Sequence, residues 1–194
     1  MSSKSKKIEK TNFEKIWKDN PMRAPYLEKI VLNIGVGAGG EELERAATIL
    51  EQITGRKPMK TLSKVNVKEF NLRKGRPIGT KVTVRGKEAE KLLKRLIIVN
   101  NNKILRKSFD DYGNFGFGII EHISIPGIEY DNTLGIWGCD VVGRIVRPGM
   151  RVKIRRAQRS KIPKHHYVSR LEAQEFLKKK FNISVVQKLD LDYI

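Results

Sequence analysis

The sequence predicts an α+β protein, a two-layer sandwich in which helices cover one face of a largely antiparallel sheet. Segments with alternating apolar residues lie on both sides of segments with helical periodicity, in the order strand, helix, two strands, helix, then several strands. The strand segments alternate, whereas the strands of a buried parallel sheet are continuously apolar. The second face of such a sheet is therefore expected to stay open for a partner.

Composition adds a strong positive charge to this picture. The chain has 194 residues, with 40 Lys+Arg against 21 Asp+Glu and a formal net charge of +19. Such a surplus favours a polyanionic partner, nucleic acid first and an anionic membrane second. One cysteine and three histidines exclude a disulfide framework and leave few ligands for a zinc site, so no metal or cofactor is expected. No apolar run approaches the roughly 20 residues of a membrane span, and no signal peptide is recognised, which predicts a cytoplasmic protein without a membrane partner.

The first elements follow from residue periodicity. A short helix is predicted over 11–18, where Thr11 and Glu14 have capping-box spacing. Alternating apolar residues then predict a strand over 28–34. Apolar residues three and four positions apart predict a helix over 41–54. The expected buried stripe of this helix consists of Leu43, Ala46, Ala47, Leu50 and either Ile53 or Thr54.

Two further strands are predicted over 59–66 and 78–85, with a basic turn at 72–77 between them. Gly75 and Pro77 favour a turn there, and we expect it to project as a cationic hairpin tip. Alternation in the second strand separates an apolar face from a polar one. The residues expected on the open face of the sheet are Lys81, Thr83 and Arg85.

The remaining elements are a helix over 87–99, a long loop over 100–114 and strands over 115–125 and 136–146. The helix has one apolar stripe, and its acidic residues precede its basic ones, as the helix dipole favours. The residues of that stripe are Ala89, Leu92, Leu93, Leu96 and Ile97.

The chain is expected to divide into three parts. Residues 1–20 form a basic segment with the short helix, and residues 21–147 form an α+β RNA-binding core. Residues 148–194 form a basic C-terminal extension. Within it, Ser169 and Glu172 have capping-box spacing and open a helix that runs through about residue 180.

A glycine-rich stretch between the first predicted strand and helix matches G-x-G-x-x-G at Gly35, Gly37 and Gly40. This is the context of a dinucleotide-binding fingerprint, but the acid expected about 20 residues later is missing between 55 and 68. Three interpretations remain open: a dinucleotide site, a tight turn, or backbone N–H groups that bind RNA phosphate together with Asn33.

No nucleophile–base constellation is found, so an enzyme is not expected. His165 and His166 are adjacent and point apart in an extended chain, which makes them a poor metal pair. Asp110 and Asp111 follow a phenylalanine in a glycine-bearing loop and are typical turn formers. The residues expected to be structural are Phe115, Phe117, His122 and Cys139.

Charge is concentrated in two parts of the chain. The first basic segment, 55–87, has eleven Lys/Arg and one acid, Glu69. The second basic segment, 141–171, has ten Lys/Arg and no acid. A solvated surface usually mixes both signs, so the two segments indicate two anion-binding surfaces or one surface assembled from both.

Five blocks of sequence occur in a recognisable order and spacing. They are KIVLNIGVG (29–37), ITGRKPMKT (53–61), RKGRPIGTKVTVRG (73–86), KSFDDYGNFGFGIIEH (107–122) and IPGIEYD (125–131). Together they closely resemble the universal L-five family of large-subunit ribosomal proteins, which binds 5S ribosomal RNA. The tail from WGCDVVGRIVRPG onwards resembles the archaeal and eukaryotic branch, with the archaeal version closer.

The resemblance implies an α+β fold and a structural, non-enzymatic role in the central protuberance of the large subunit. The implied 5S rRNA surface consists of Asn33, Gly35, Thr61, Ser63, Lys64, Lys68 and Lys81. The implied tRNA-contacting loop consists of Arg73, Lys74, Gly75, Arg76 and Pro77. Further ribosomal RNA contacts are implied for Arg151, Lys153, Arg155, Arg156, Arg159, Lys161, Lys164 and His165.

The implied partners are 5S rRNA, large-subunit rRNA, P-site tRNA, neighbouring 5S-binding ribosomal proteins and a small-subunit head protein. The last would meet the chain near 128–134. The implied location is the large subunit of cytoplasmic ribosomes. Two other functions are kept as alternatives: a general RNA-binding chaperone, and a dinucleotide-dependent oxidoreductase that uses the glycine-rich stretch.

Overall fold

The computed structural model describes residues 13–37 and 39–187, and over these residues it confirms the α+β class. The helices in this part of the chain are α1 (Phe13–Asp19), α2 (Glu41–Thr54), α3 (Gly86–Val99) and α4 (Arg170–Phe181). The strands are β1 (Tyr26–Gly35), β2 (Met59–Leu62), β3 (Pro77–Arg85), β4 (Lys103–Leu105), β5 (Asn114–Ile119), β6 (Cys139–Val146) and β7 (Ser184–Val186).

Five of the strands form one sheet in the order β2-β3-β1-β6-β5. Every neighbouring pair in this sheet is antiparallel, as predicted. The short strands β4 and β7 pair separately and in parallel. A dinucleotide-binding βαβ unit requires parallel neighbours, and β1 has only antiparallel ones, so the glycine-rich stretch does not belong to such a fold.

Helices α2 and α3 cover one face of this sheet. The predicted stripe of α3 is buried along its whole length. In α2, Ile49 is buried and Ala47 is only half-buried, so the stripe is centred slightly differently from the prediction. Gly55 ends α2 in the left-handed conformation, with φ at 65°. The buried residues that meet these helices from β1 and β3 include Ile30, Leu32, Ile34, Val82 and Val84.

The C-terminal helix α4 packs into the same hydrophobic core. Its inner side chains are continuous with the buried side chains of the sheet. Ser169 caps α4 by accepting a hydrogen bond from the Glu172 N–H at 3.4 Å, which confirms the predicted N-terminus. Residue Thr11 of the other predicted capping box lies outside the described residues. The core side chains of α4 are Ala173, Phe176, Leu177 and Phe181.

Several predicted strands have different ends in the structure. Strand β2 ends at Leu62 and β5 at Ile119, and β6 begins only at Cys139. The predicted loop over 100–114 contains β4. Strand β4 has only three residues, and its partner β7 is about 80 residues away along the chain. No local sequence pattern therefore predicts this pairing. Apolar alternation after β5 continues into a 3-10 turn at His122–Ser124, and this turn ends the strand early.

Candidate nucleic-acid interface

The uncovered face of the five-stranded sheet carries the polar side chains that alternation predicted. Lys81 is exposed there and lies directly beside Asn33 of β1 in the strand register. On the neighbouring strand, Thr61 of β2 lies opposite Gly79, and Gly79 lies opposite Gly35. These five residues, which we call the sheet patch, form one continuous polar area on β1, β2 and β3.

Two glycines keep the sheet patch shallow. A Cβ added to Gly79 would lie 2.9 Å from the Ile34 carbonyl oxygen and 3.0 Å from Thr61 Oγ1. A Cβ added to Gly35 would meet no atom within 4 Å, so the space above this residue is open. Glycine in a strand interior often marks a place where another backbone comes close. The patch therefore combines hydrogen-bonding groups, a lysine and room for an approaching backbone.

A cluster of arginines lies on the same face, towards the start of β1. A register shift between Leu27 and Lys29 accompanies Glu28. Its Oε1 accepts from Arg85 Nη1 and its Oε2 forms an ion pair with Arg144 Nε, each at 3.4 Å. Lys29 lies beside both arginines in the register. These half-buried ion pairs hold two guanidinium groups on the open face.

Two N–H groups of the glycine-rich stretch are engaged within the protein. The N–H groups of Val36 and Gly37 both donate to the Ile78 carbonyl, at 3.1 and 2.9 Å. The first turn of α2 also carries three glutamates, which would repel an anion at the helix N-terminus. These contacts favour the tight turn, and phosphate binding by other N–H groups of the stretch stays a prediction. The three glutamates are Glu41, Glu42 and Glu44.

The basic turn of the first basic segment is not a hairpin tip, contrary to the prediction. Strand β2 ends four residues earlier than predicted, and a loop of residues 63–76 follows. At its base, Ser63 N–H donates to the Arg76 carbonyl at 2.8 Å and Gly75 N–H donates to the Ser63 carbonyl at 2.9 Å. The apex is 68–71, closed by the paired residues Val67 and Leu72. The turn therefore lies in the returning arm of the loop.

Most of the predicted residues in this loop are exposed, but Ser63 is not. Its side chain is buried and its hydroxyl donates to the Val65 carbonyl at 2.8 Å, so Ser63 shapes the loop from inside. The apex carries Phe70, which is 72% exposed. The predicted loop residues with exposed side chains are Lys64, Lys68, Arg73, Lys74 and Arg76.

The second basic segment has little regular structure after β6. Two contacts hold its course: Arg147 Nη1 donates to the His165 carbonyl at 3.2 Å, and His166 Nε2 lies 2.8 Å from the Pro148 carbonyl oxygen. One ring nitrogen of His166 is thus engaged by a backbone carbonyl. The predicted contact residues here are all exposed: Arg151, Lys153, Arg155, Arg156, Arg159, Lys161, Lys164 and His165.

A cleft of about 880 Å³, which sequence reasoning did not predict, lies between this segment and the edge of the sheet. Tyr112 and Tyr167 line it together with Asn114 at the start of β5. Outward alternation along β6 could have indicated Arg144, but no sequence signal places the tyrosines. The cations of this C-terminal cleft are Arg144, Lys153, Arg159, Lys161 and Lys164.

Three groups of the kinds used in catalytic sites are structural here. His122 is buried, accepts from the Trp137 N–H at 3.3 Å, and has its pKa lowered chiefly by burial. Burial also raises the pKa of the Cys139 thiol to about 11, which keeps it protonated. Asp110 accepts from the N–H groups of Tyr112 and Asn114 at 2.9 and 2.8 Å, which confirms it as a turn former.

The described part of the chain has neither a metal-binding cluster nor a membrane-spanning helix. Residues 13–37 and 39–187 contain no cluster of three His, Cys, Asp or Glu side chains that could hold a metal ion. None of the helices in those ranges is long and apolar enough to cross a membrane.

Comparison with known proteins gives a consistent result over most of the chain. Residues 20–73 match the family model "Ribosomal protein L5", and residues 77–176 match the model for the C-terminus of the same ribosomal protein family. "Large ribosomal subunit protein uL5" of Sulfurisphaera tokodaii is 50% identical over 87% of this chain and 96% of its own length. The protein of the same name from Pyrobaculum aerophilum is 47% identical over 87% of this chain and 94% of its own length. The one from Methanococcus vannielii is 42% identical over 91% of this chain and 99% of its own length. These relatives confirm the archaeal-type resemblance, and the chain belongs to the ribosomal protein L5 family.

Proposed function

We propose that this protein binds 5S rRNA through the sheet patch and through residues 63–68 of the adjoining loop. It is a structural, non-enzymatic constituent of the large subunit of cytoplasmic ribosomes, consistent with its family and with relatives named as large-subunit proteins. The observation that carries the proposal is an open, shallow, polar sheet face next to a loop rich in exposed cations.

The chemistry of this area suits folded RNA. Lys64, Lys68 and Lys81 are exposed and would neutralise phosphates, the largest sequence-independent contribution to RNA affinity. Asn33 and Thr61 offer hydrogen-bonding groups at the level of the sheet, where phosphate oxygens and ribose 2′-hydroxyls would approach. Shape and 2′-hydroxyl recognition of this kind would distinguish one folded RNA from another.

The returning arm of the loop is proposed to contact P-site tRNA through Arg73, Lys74, Arg76 and their neighbours Gly75 and Pro77. These cations are exposed, whereas the hydrogen bonds at the loop base fix the course of the backbone. Because the loop backbone is fixed, its exposed cationic side chains would extend towards the tRNA phosphates in a defined direction. The exposed cations of 151–165 are proposed to add contacts to large-subunit rRNA.

A further contact, to a small-subunit head protein, is proposed near 128–134. Asp131 there accepts from the Thr133 N–H and hydroxyl at 2.9 and 2.7 Å, and these hydrogen bonds lower the pKa of its carboxyl. The segment is therefore a shaped turn on the surface. Neighbouring 5S-binding ribosomal proteins remain proposed partners, with no surface assigned to them.

The proposal is tested by competition at near-physiological salt. Labelled 5S rRNA from the same source is bound to the full chain and challenged with excess tRNA. Retention of 5S rRNA supports specific recognition. Displacement mole for mole would overturn it and favour the general RNA-chaperone alternative, because charge alone would then explain binding.

A matched pair of single substitutions locates the binding surface. Lys81→Gln should weaken 5S binding and reduce the slope of log affinity against log salt by about one unit, since one phosphate contact is lost. Lys94→Gln removes the same charge from an exposed position of α3, on the covered side of the sheet, and should leave the slope unchanged. Equal effects of the two substitutions would contradict the sheet patch as the site.

A further inference from the structure

We propose that the C-terminal cleft binds one unpaired nucleotide of RNA, with the base against Tyr112 and the phosphate among the surrounding cations. The inference rests on the proposed RNA-binding function and assigns a ligand class to a site separate from the sheet patch. The cleft lies at the β5–β6 edge of the sheet, whereas the patch lies on β1, β2 and β3.

The size and charge of the cleft fit a nucleotide. Its volume of about 880 Å³ is within the range of small-molecule sites, about 300–1,000 Å³. Five cations line it, and none of its lining residues within the described ranges is acidic. Of the carboxylates around the cleft, Asp110 is engaged with the turn around Asn114, and Asp111 pairs with Arg170 at 3.4 Å. Glu28 pairs with Arg144, also at 3.4 Å, so a phosphate would meet chiefly the other four cations of the cleft.

The two tyrosines provide a stacking surface of defined orientation. Their rings pack edge to face, with centroids 5.4 Å apart and planes at 78°. Tyr167 is held further by Lys153, whose Nζ lies 3.2 Å from the phenolic oxygen and 5.7 Å from the ring centroid. Tyr112 is 49% exposed. Tyr167 thus supports Tyr112, whose ring remains accessible to a base.

An unpaired nucleotide fits these features better than a duplex does. A duplex presents phosphates and groove edges but no free base face, and sequence-specific or single-stranded RNA recognition commonly stacks an unpaired base on an aromatic side chain. A second cavity of about 410 Å³ adjoins the cleft through Asn114 and Arg144 and extends along Lys29 and Val142 onto the open sheet face. This second cavity gives the strand on either side of the bound nucleotide a route across the protein.

The test uses the full chain and two fluorescein-labelled probes, a single-stranded hexauridylate and a 12-base-pair RNA duplex. Tyr112→Leu should weaken hexauridylate binding by about fivefold or more, the lower range for loss of one base–aromatic stack. Lys161→Gln, an exposed position that does not affect packing, should weaken it as well and reduce the salt slope. Duplex affinity should be unchanged by Tyr112→Leu. Thermal unfolding of each variant shows whether it remains folded.

Two control substitutions match these changes. Tyr130→Leu removes an equally exposed tyrosine outside the cleft, and Lys94→Gln removes a lysine from α3. Equal losses in the variants and their controls, or no hexauridylate binding by the parent chain, would overturn the inference. If 5S rRNA still binds in that case, only the cleft proposal fails. If neither RNA binds, the proposed function fails too.

Discussion

The two basic segments have similar densities of Lys and Arg but present them in different ways. In 55–87 most of the cations project from strands of the sheet and from a hydrogen-bonded loop, so the surface is flat or protruding. In 141–171 most of the cations follow the end of β6, where the chain has little regular structure and surrounds a concave cleft. Charge density alone would predict the same kind of binding for both segments.

We infer from this difference that the backbone determines what a basic segment is able to bind. As proposed, the flat face would meet the surface of a folded RNA, whereas the cleft with its aromatic wall would accept a single nucleotide. Different contacts stabilise the two surfaces. Strand pairing at the sheet edge stabilises the surface of 55–87, and buried contacts around α4 stabilise the surface of 141–171. A substitution can therefore disrupt one surface and leave the other intact.

The largest effect on stability is expected from Glu172→Gln, which removes the carboxylate that holds Arg147 of the second basic segment against α4. The Glu172 carboxylate is buried and contacts Arg147 Nη2 at 2.5 Å and Trp17 Nε1 at 3.1 Å. Removing one partner of a buried ion pair leaves the other charge uncompensated, at a cost of about 3–5 kcal/mol. Chemical denaturation should show this loss, and hydrogen exchange should show it concentrated around 147–172.

The control for this change is Glu175→Gln, on the exposed side of the same helix, where we expect a change within about 0.5 kcal/mol. A uniform increase in exchange across β1 and β3 as well would contradict separate support of the two segments.

An intermediate effect is expected from Gly79→Ala, which acts on the first segment. The new methyl group would meet the Ile34 carbonyl oxygen at 2.9 Å and Thr61 Oγ1 at 3.0 Å, so the backbones of β1 and β3 must shift apart and Thr61 must change its rotamer. Overpacking of this kind costs about 1–3 kcal/mol. Calorimetry should show lower stability, and 5S rRNA binding should weaken while hexauridylate binding persists.

Gly35→Ala is the matched control for stability, since its methyl group would meet nothing within 4 Å. A similar loss of stability in both variants would mean that the close contacts at Gly79 are not the cause.

The smallest effect on 5S binding is expected from combined substitution of Arg73, Lys74 and Arg76 by Ala. These residues lie in the returning arm of the loop and belong neither to the sheet patch nor to residues 63–68, so 5S affinity should stay nearly intact. Retention of P-site tRNA on assembled ribosomes should weaken, as a toeprint or filter assay would show. A collapse of 5S binding instead would show that the loop and the patch form one surface.

Local periodicity predicted the elements that pack against each other within a short stretch of chain. The stripe of α3 and the outward residues of β3 were assigned correctly because burial repeats every three to four residues in α3 and every second residue from Thr80 to Arg85 in β3. The end of α2 at Gly55 followed from the need for a left-handed residue, and the cap of α4 followed from Ser169. The family resemblance supplied the ribosomal context, which no periodicity contains.

Features that depend on distant contacts were not predictable in the same way. The pairing of β4 with β7 joins Ile104 to Val185, and nothing near either residue signals the other. The loop 63–76 differs from the predicted hairpin because Ser63 turns inward, a local hydrogen bond that alternation does not encode. The cleft needs Tyr112 and Tyr167 side by side, and their positions are 55 residues apart along the chain.

The contact between α1 and α4 has a consequence for the order of events during synthesis. Trp17 packs edge to face on Phe176 with ring centroids 6.4 Å apart, and Glu14 pairs with Lys179 at 2.8 Å. Helix α1 emerges first from the translating ribosome, yet its partners are made more than 150 residues later. The antiparallel sheet between them has its strands available earlier. Helix α1 therefore docks only after α4 has been synthesised, when the hydrophobic core around the sheet has begun to form.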